Sequence, residues 1–287
     1  MTSHSKRTKA AEGGHWYDRS GNQIGQVQNI TKPGLRNPTV RDAKRMDWCP
    51  GITSILSMLA APALTRWKQD RTADAAVDLL DYLPLEAHGD SSKITSDWRE
   101  MVIGAAGDIS KTSAAEGSRI HAAIEQSYCD EPFNESYRPH VEGVRALIDQ
   151  HCGEALELHP WMPEQGVAHP MGYGTKADLH SGAWVIDFKS KDGDQAKLDD
   201  ARTRTFDYHW MQLAATRAAL EHSMDIPFQT QKCAIIYVSR DNPGACSFKE
   251  VSEENLSKGW KMFTGLLSVW QAKNDHYPTW CDDGEQL

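Results

Sequence analysis

The stretch Gly172–Lys191, GYGTKADLHSGAWVIDFKSK, decides how the chain is read. Two strand-forming runs, Thr175–His180 and Ala183–Ser190, flank Ser181-Gly182, a two-residue connection of the kind that closes tight hairpins. A two-residue loop places Asp178 opposite Val185. Side chains alternate along a strand, so Val185, Asp187 and Lys189 share one face and Trp184, Ile186 and Phe188 take the other. Asp178 is then a diagonal neighbour of Asp187, roughly 7–8 Å away along the backbone. Val185–Lys189 reads as an interior strand with two charges inserted, and such charges are costly unless a metal or a partner compensates them.

Two helices belong with this hairpin. Asp108–Cys129 is rich in alanine, free of proline, and reads as one helix of about 20 residues. Gly117, His121 and Glu125 recur every four residues and stack on one face, with Ile120 and Ile124 on the neighbouring, core-facing stripe. Gly117 costs about 1 kcal/mol in a helix interior, and it permits close approach of backbone or substrate. Downstream, a helix from about Asp199 to His222 sets Tyr208, Gln212 and Thr216 on one face. Arg202 and Arg204 near its start are candidate phosphate contacts.

The ordered set resembles the PD-(D/E)XK nucleases. Asp178, Asp187 and Lys189 take the Asp, Asp/Glu and Lys places of a D-(eight residues)-D-x-K pattern, with Ala177 where the family motif has proline. More narrowly, the chain is similar over residues 50–240 to the RecB-like branch, which includes phage exonucleases and the mitochondrial genome-maintenance exonuclease. That branch carries G-x-x-x-H-x-x-x-E upstream, matched by Gly117, His121 and Glu125, and Q-x-x-x-Y downstream. Gln212 matches the latter, while Thr216 replaces the tyrosine. Gly174 stands four residues before Asp178 where the family spacing is three, so a shift or bulge is expected.

The resemblance implies a restriction-endonuclease-like α/β fold, a mixed central sheet flanked by helices. It implies metal ligands at His121, Asp178, Asp187 and the backbone carbonyl of Phe188, with Glu125, Gln212, Glu164 and Tyr208 supporting the site or touching substrate. The implied cofactor is Mg²⁺ or Mn²⁺, the imidazole favouring Mn²⁺. Phosphodiester hydrolysis needs an in-line water and stabilised oxygen charge, both of which divalent metals supply. Lysine near pKa 10.4 is a poor base, so Lys189 positions and polarises the attacking water. The expected function is DNA exonuclease activity in recombination or DNA processing, plausible for a phage-borne enzyme, with a recombination or single-strand-annealing protein as an expected partner. The alternatives are a structure-specific or nicking endonuclease and a silent nucleic-acid-binding protein of the same fold. The intact set of Asp178, Asp187, Lys189 and His121 argues against the silent form.

Composition bounds the rest. The chain has 287 residues, 25% charged and 39% hydrophobic, as in an ordinary soluble globular protein. No apolar run is long enough for a membrane span, and the first residues, MTSHSKRTKAAEGG, read as a flexible basic tail and not a secretory signal, so a cytoplasmic setting is expected. The six cysteines form no C-x-x-C pair and read as reduced thiols. The close late triplet that holds an iron–sulfur cluster in some RecB-like nucleases is missing, so no cluster is expected. Net charge is −9, unfavourable for avid binding of phosphate backbones, but residues 1–45 carry nine Lys/Arg against three acids.

Three regions are expected: a basic tail and small hairpin (1–50), a helical covering segment (51–107) and the nuclease core (108–287). His15–Val27 reads as a hairpin turning at Ser20-Gly21-Asn22. Thr53 or Ser54 caps a short helix, another runs from Pro62 to about Leu80, Pro84–Ser92 is a polar break, and Ser96–Ala106 forms a further short helix. Tyr137–Cys152 is a helix, Glu154–Met162 a strand, and Glu164–His169 begins the next. Lys232–Ser239 is a buried strand, Ser247–Val251 an edge strand, and Glu253–Lys273 an amphipathic closing helix. The covering segment is expected to make the cleft one that a strand enters by its end, with Trp67 and Trp98 as candidate base-stacking residues.

Overall fold

The structure, a computed structural model, describes residues 15–29, 32–59, 62–153, 160–200, 203–225, 227 and 229–281. Its elements in chain order are β1 (Trp16–Tyr17), β2 (Gln23–Ile24), β3 (Val27–Gln28), β4 (Leu35–Arg36), α1 (Val40–Met46), β5 (Cys49–Pro50), α2 (Ile52–Leu56), α3 (Pro62–Asp78), α4 (Ser96–Tyr128) and α5 (Arg138–Cys152). They continue with β6 (Met162–His169), β7 (Tyr173–His180), β8 (Trp184–Lys191), α6 (Gln195–Asp199), α7 (Asp207–Ser223), β9 (Lys232–Ser239), β10 (Cys246–Val251) and α8 (Glu253–Asn274). The chain divides into two compact units, Met1–Met58 with His121–Leu287, and Leu59–Ile120.

The first unit is built on a mixed sheet in the order β10-β9-β8-β7-β6. Neighbours are antiparallel except β8 and β9, which run parallel. A parallel pair needs a crossover, and α6 and α7 supply it between these two strands. Val185–Phe188 and Cys233–Val238 are buried, as the middle strands of a covered sheet should be. On one face Val185, Cys233, Ile235 and Tyr237 join Leu213, Ala214 and Ala218 of α7 and Leu256, Phe263 and Leu267 of α8 in one cluster. A Cβ on Gly259 would stand 2.5 Å from the Trp210 backbone, so glycine there lets α8 cross α7 closely. Buried Arg217 ties the layer together: it pairs with Glu253 at 2.6 Å and donates to the Gln231 carbonyl at 3.1 Å. On the other face α5 packs against β9 and β10, and His151 stacks on Phe248 at 4.4 Å.

Several sequence expectations change. The short helix α2 begins at Ile52 with Gly51 as its N-cap, in place of Thr53 or Ser54. The two helices expected within Ser96–Cys129 are one, since neither Gly104 nor Gly107 breaks a run with so much alanine. Of the strand expected over Glu154–Met162, residues 154–159 lie outside the described residues, and β6 runs unbroken through Glu164. The helix expected from Asp199 starts at Asp207, because Thr203 turns back to donate to the Lys197 carbonyl at 2.7 Å and the chain re-enters helix only after Phe206. The basic tail (1–14), Arg202 and the acidic end (282–287) lie outside the described residues.

In the second unit, Ala75 of α3 packs with Val102 and Ala106 of α4, and Leu79 and Trp98 close this small core. The Trp98 indole donates to the Leu79 carbonyl at 2.9 Å. That contact makes Trp98 a packing residue in place of a free stacking surface; Trp67 is partly buried.

Candidate active site

The register of the central hairpin differs from the sequence reading. His180 pairs with Val185 and Leu179 with Ile186, which leaves Ser181–Trp184 as the connection. Ser181 is the cause. Its hydroxyl accepts the N–H groups of Ala183 and Trp184, both at 3.2 Å, and its carbonyl accepts from Gln231 at 2.5 Å. Continuing this register brings Asp178 level with Asp187 instead of diagonal to it.

The pairing then breaks at Asp178. Directly paired residues share a face, so Leu179 points with Ile186, away from the side of Val185. Ala177, two residues earlier, nevertheless joins Val185 in the cluster beneath α7. Alternation therefore changes phase between Ala177 and Leu179, the irregularity that the spacing from Gly174 anticipates. Across β6 the position level with Asp178 is Glu164, whose φ of 54° marks the same kink. Freed from regular pairing, the Asp178 carboxylate accepts the Phe188 N–H at 2.8 Å.

Asp187 and Lys189 point toward α7 and form a closed triangle with Gln212. The ammonium lies 3.0 Å from Asp187 Oδ1 and 3.1 Å from Gln212 Oε1, and Gln212 Nε2 donates to Asp187 Oδ1 at 2.7 Å. Asp187 is 6% exposed. Its Oδ2 lies 2.8 Å from the ammonium as an ion pair, without hydrogen-bond geometry. Burial and the nearby Asp187 charge both push the Asp178 carboxyl upward, while Lys189 opposes them. Burial disfavours the Lys189 ammonium, but Asp187 and Asp178 outweigh it and hold its pKa above the ordinary lysine value. Lys189 is thus a fixed cation between two acids.

The other sequence candidates fall at different distances from this centre. His121 packs edge-on against the Phe188 ring at 6.0 Å. Burial pulls its pKa down, partly countered by Asp187, which favours the neutral imidazole. Phe188 belongs to the strand face opposite Asp187, so His121 approaches from the other side of β8. Tyr208, one turn before Gln212, senses the charges of Lys189 and Asp187. Glu164 turns to Lys176 in an ion pair, and Lys176 in turn lies near enough to draw on Asp178. Glu125 makes no hydrogen bond or ion pair with Lys189 or with any predicted ligand among the described residues. Thr216, in the family's tyrosine place, is buried with its hydroxyl 3.3 Å from that of Thr175.

Sequence reading missed His209 and Tyr237. Tyr237 is paired in register with Lys189 on the neighbouring parallel strand. His209 lies near the Lys189 and Asp187 charges, and burial lowers its pKa to about 4. Its position beside Tyr208 was a faint signal; Tyr237 gave none, because only the β8–β9 pairing brings it to the site.

The chemistry of the donors fits a hard divalent cation in part. Two acids compete for one ammonium, and Asp187 Oδ2 is buried without a hydrogen-bond donor. Among the described residues, however, no three His, Cys, Asp or Glu groups are gathered closely enough to hold a metal ion.

No family model and no curated protein matches the chain. Among solved structures, an alkaline exonuclease (LHK-Exo) from Laribacter hongkongensis is similar over 55% of this chain and 81% of its own, at 14% identity and a TM-score of 0.32. A likeness at that level carries no weight for fold or function, which rest on the residues themselves.

Proposed function

We propose that this protein is a divalent-metal-dependent deoxyribonuclease of the PD-(D/E)XK type, with a restriction-endonuclease-like fold, that hydrolyses phosphodiester bonds from a DNA end. One observation carries the reading: Asp178, Asp187 and Lys189 meet where the β7–β8 pairing breaks, and Gln212 locks the last two together. A buried pair of acids with a fixed ammonium is costly for a purely structural sheet centre. It is suited to a phosphate ester and a cation.

Asp178, Asp187 and the Phe188 carbonyl would hold Mg²⁺ or Mn²⁺, with His121 completing the set. Such an ion, when bound, neutralises phosphoryl charge and makes water more acidic. Lys189 acts as a cation throughout: it holds a water or a phosphate oxygen and takes no proton. Gln212 keeps the ammonium and the carboxylate in register, so that neither reorganises during reaction. Tyr208 lines the approach from the α7 side.

End-labelled single- and double-stranded linear DNA, incubated with and without Mn²⁺, tests this directly. Metal-dependent shortening from an end, absent with Asp187→Asn, is the expected result. Linear DNA left intact under both metals removes the nuclease reading.

A further inference from the structure

Beside this site stands a group of aromatic rings that hydrolysis does not require. Phe206 is the N-cap residue of α7 and is 50% exposed, and Tyr208 is 39% exposed. The Arg204 guanidinium lies 5.9 Å over the Phe206 ring. His209 is their hub, with its ring 5.8 Å from Phe206, 6.3 Å from Tyr208 and 6.2 Å from Tyr237. The group is held in place: Phe206 N–H donates to His209 Nδ1 at 3.3 Å, and the Tyr237 hydroxyl donates to the Arg204 carbonyl at 3.1 Å. A second cation, Lys191, lies 5.7 Å over the Tyr237 ring. Tyr237 is the strand partner of Lys189, and Gln212, one turn beyond Tyr208, is bonded to both Lys189 and Asp187.

We propose that Phe206 and Tyr208, with Arg204, form a stacking platform for an unpaired base of the DNA strand whose phosphodiester lies at Asp187 and Lys189. The inference rests on the nuclease reading for its choice of ligand. Two large rings left in water on a preorganised segment, with the Arg204 guanidinium over one face of Phe206, match what single strands require: a remaining π-face for the base and positive charge for the phosphate. A base inside a duplex has both faces already stacked, so the platform selects single strands or frayed ends. It reads no sequence, because every base has a π-face.

The test is binding of fluorescein-labelled oligo-dT to the full chain in EDTA, where cleavage is not involved, followed by anisotropy. The wild-type chain should bind oligo-dT about tenfold more tightly than the same oligomer made of abasic sites, the range expected for one stacked base. Phe206→Ala should lose that difference, and Phe206→Trp should keep it, with unchanged circular dichroism for both. Equal wild-type affinity for the two oligomers overturns the platform without any variant, and so does a Phe206→Ala chain that binds oligo-dT as the wild type does. The two readings separate cleanly. Base-dependent binding by a chain that cleaves no DNA with Mn²⁺ keeps the platform and removes the nuclease, and cleavage without base-dependent binding does the reverse.

Discussion

Gln212 shows how much a neutral side chain can organise: it donates to Asp187 and accepts from Lys189, so the acid and the cation are set by a third group on another element. Asp187→Asn keeps the volume but removes the charge that Lys189 and a cation both use. Cleavage should fall by on the order of 100-fold or more while the chain still folds, as gel assays and circular dichroism will report. Asp178→Asn should behave alike, and wild-type rates for both variants would falsify the site assignment. Lys189 and His121 separate by role. Calorimetric titration should find Mn²⁺ binding retained in Lys189→Ala with turnover lost. For His121→Ala it should find weakened binding, with activity partly recovered at higher Mn²⁺. Unchanged affinity in His121→Ala removes the imidazole from the ligand set, a real test given its approach from the Phe188 side.

At the scale of elements, β7 carries a glycine that fixes its place in the fold. Gly174 accepts the Tyr17 side chain against its backbone; a Cβ there would meet the Tyr17 ring at 2.5 Å. Gly174→Ala should therefore cost about 1–3 kcal/mol in urea unfolding, since ring and strand must part to make room. Buried neutral histidines make a second test. Burial pulls His169, His180 and His209 each down to about 4. In the unfolded chain they take up protons near pH 6.5, so between pH 6.5 and 4 the unfolded state binds more protons and stability falls. What they contribute is complete above 6.5 and lost as the pH drops toward 4. His180 alone, fully buried beside Gln165 at 2.7 Å, accounts for on the order of 3 kcal/mol by linkage. Unfolding free energies that stay flat across that window contradict this. The strand pattern of the hairpin was legible in sequence, but its register was not: a serine that bonds its own loop outweighs the two-residue turn preference.

For the whole molecule, the net charge of −9 bears on the proposed DNA substrate. An acidic protein gains little from duplex flanks, so under the proposed function local groups such as Lys189, Arg204 and Lys191 would supply the contacts. If the enzyme works from ends, linear single strands should be degraded to short products and the same sequence circularised should survive. Rapid cutting of covalently closed circles, lost in Asp187→Asn, moves the protein to the endonuclease reading. No helix among the described residues is long and apolar enough to cross a membrane.

Composition and pattern alone determined the main strands and helices of the sheet-bearing unit. β9 and α8 lie where apolar periodicity and caps put them, because burial and backbone hydrogen bonding along one element are local matters. The hairpin pattern also singled out Asp178, Asp187 and Lys189, since charges on an otherwise apolar strand pair are costly and therefore conspicuous, whereas Gln212 came only from the family resemblance. Only the tertiary structure decided how they meet. The phase change at Asp178 depends on Glu164 in a different strand, and the nearness of Tyr237 depends on a parallel pairing across a crossover. His121 and Glu125 lie one turn apart on the same helix, yet one packs on Phe188 and the other makes no bond to the site. Helical spacing fixes only which residues share a face, whereas the packing of that face against the sheet fixes which of them touch.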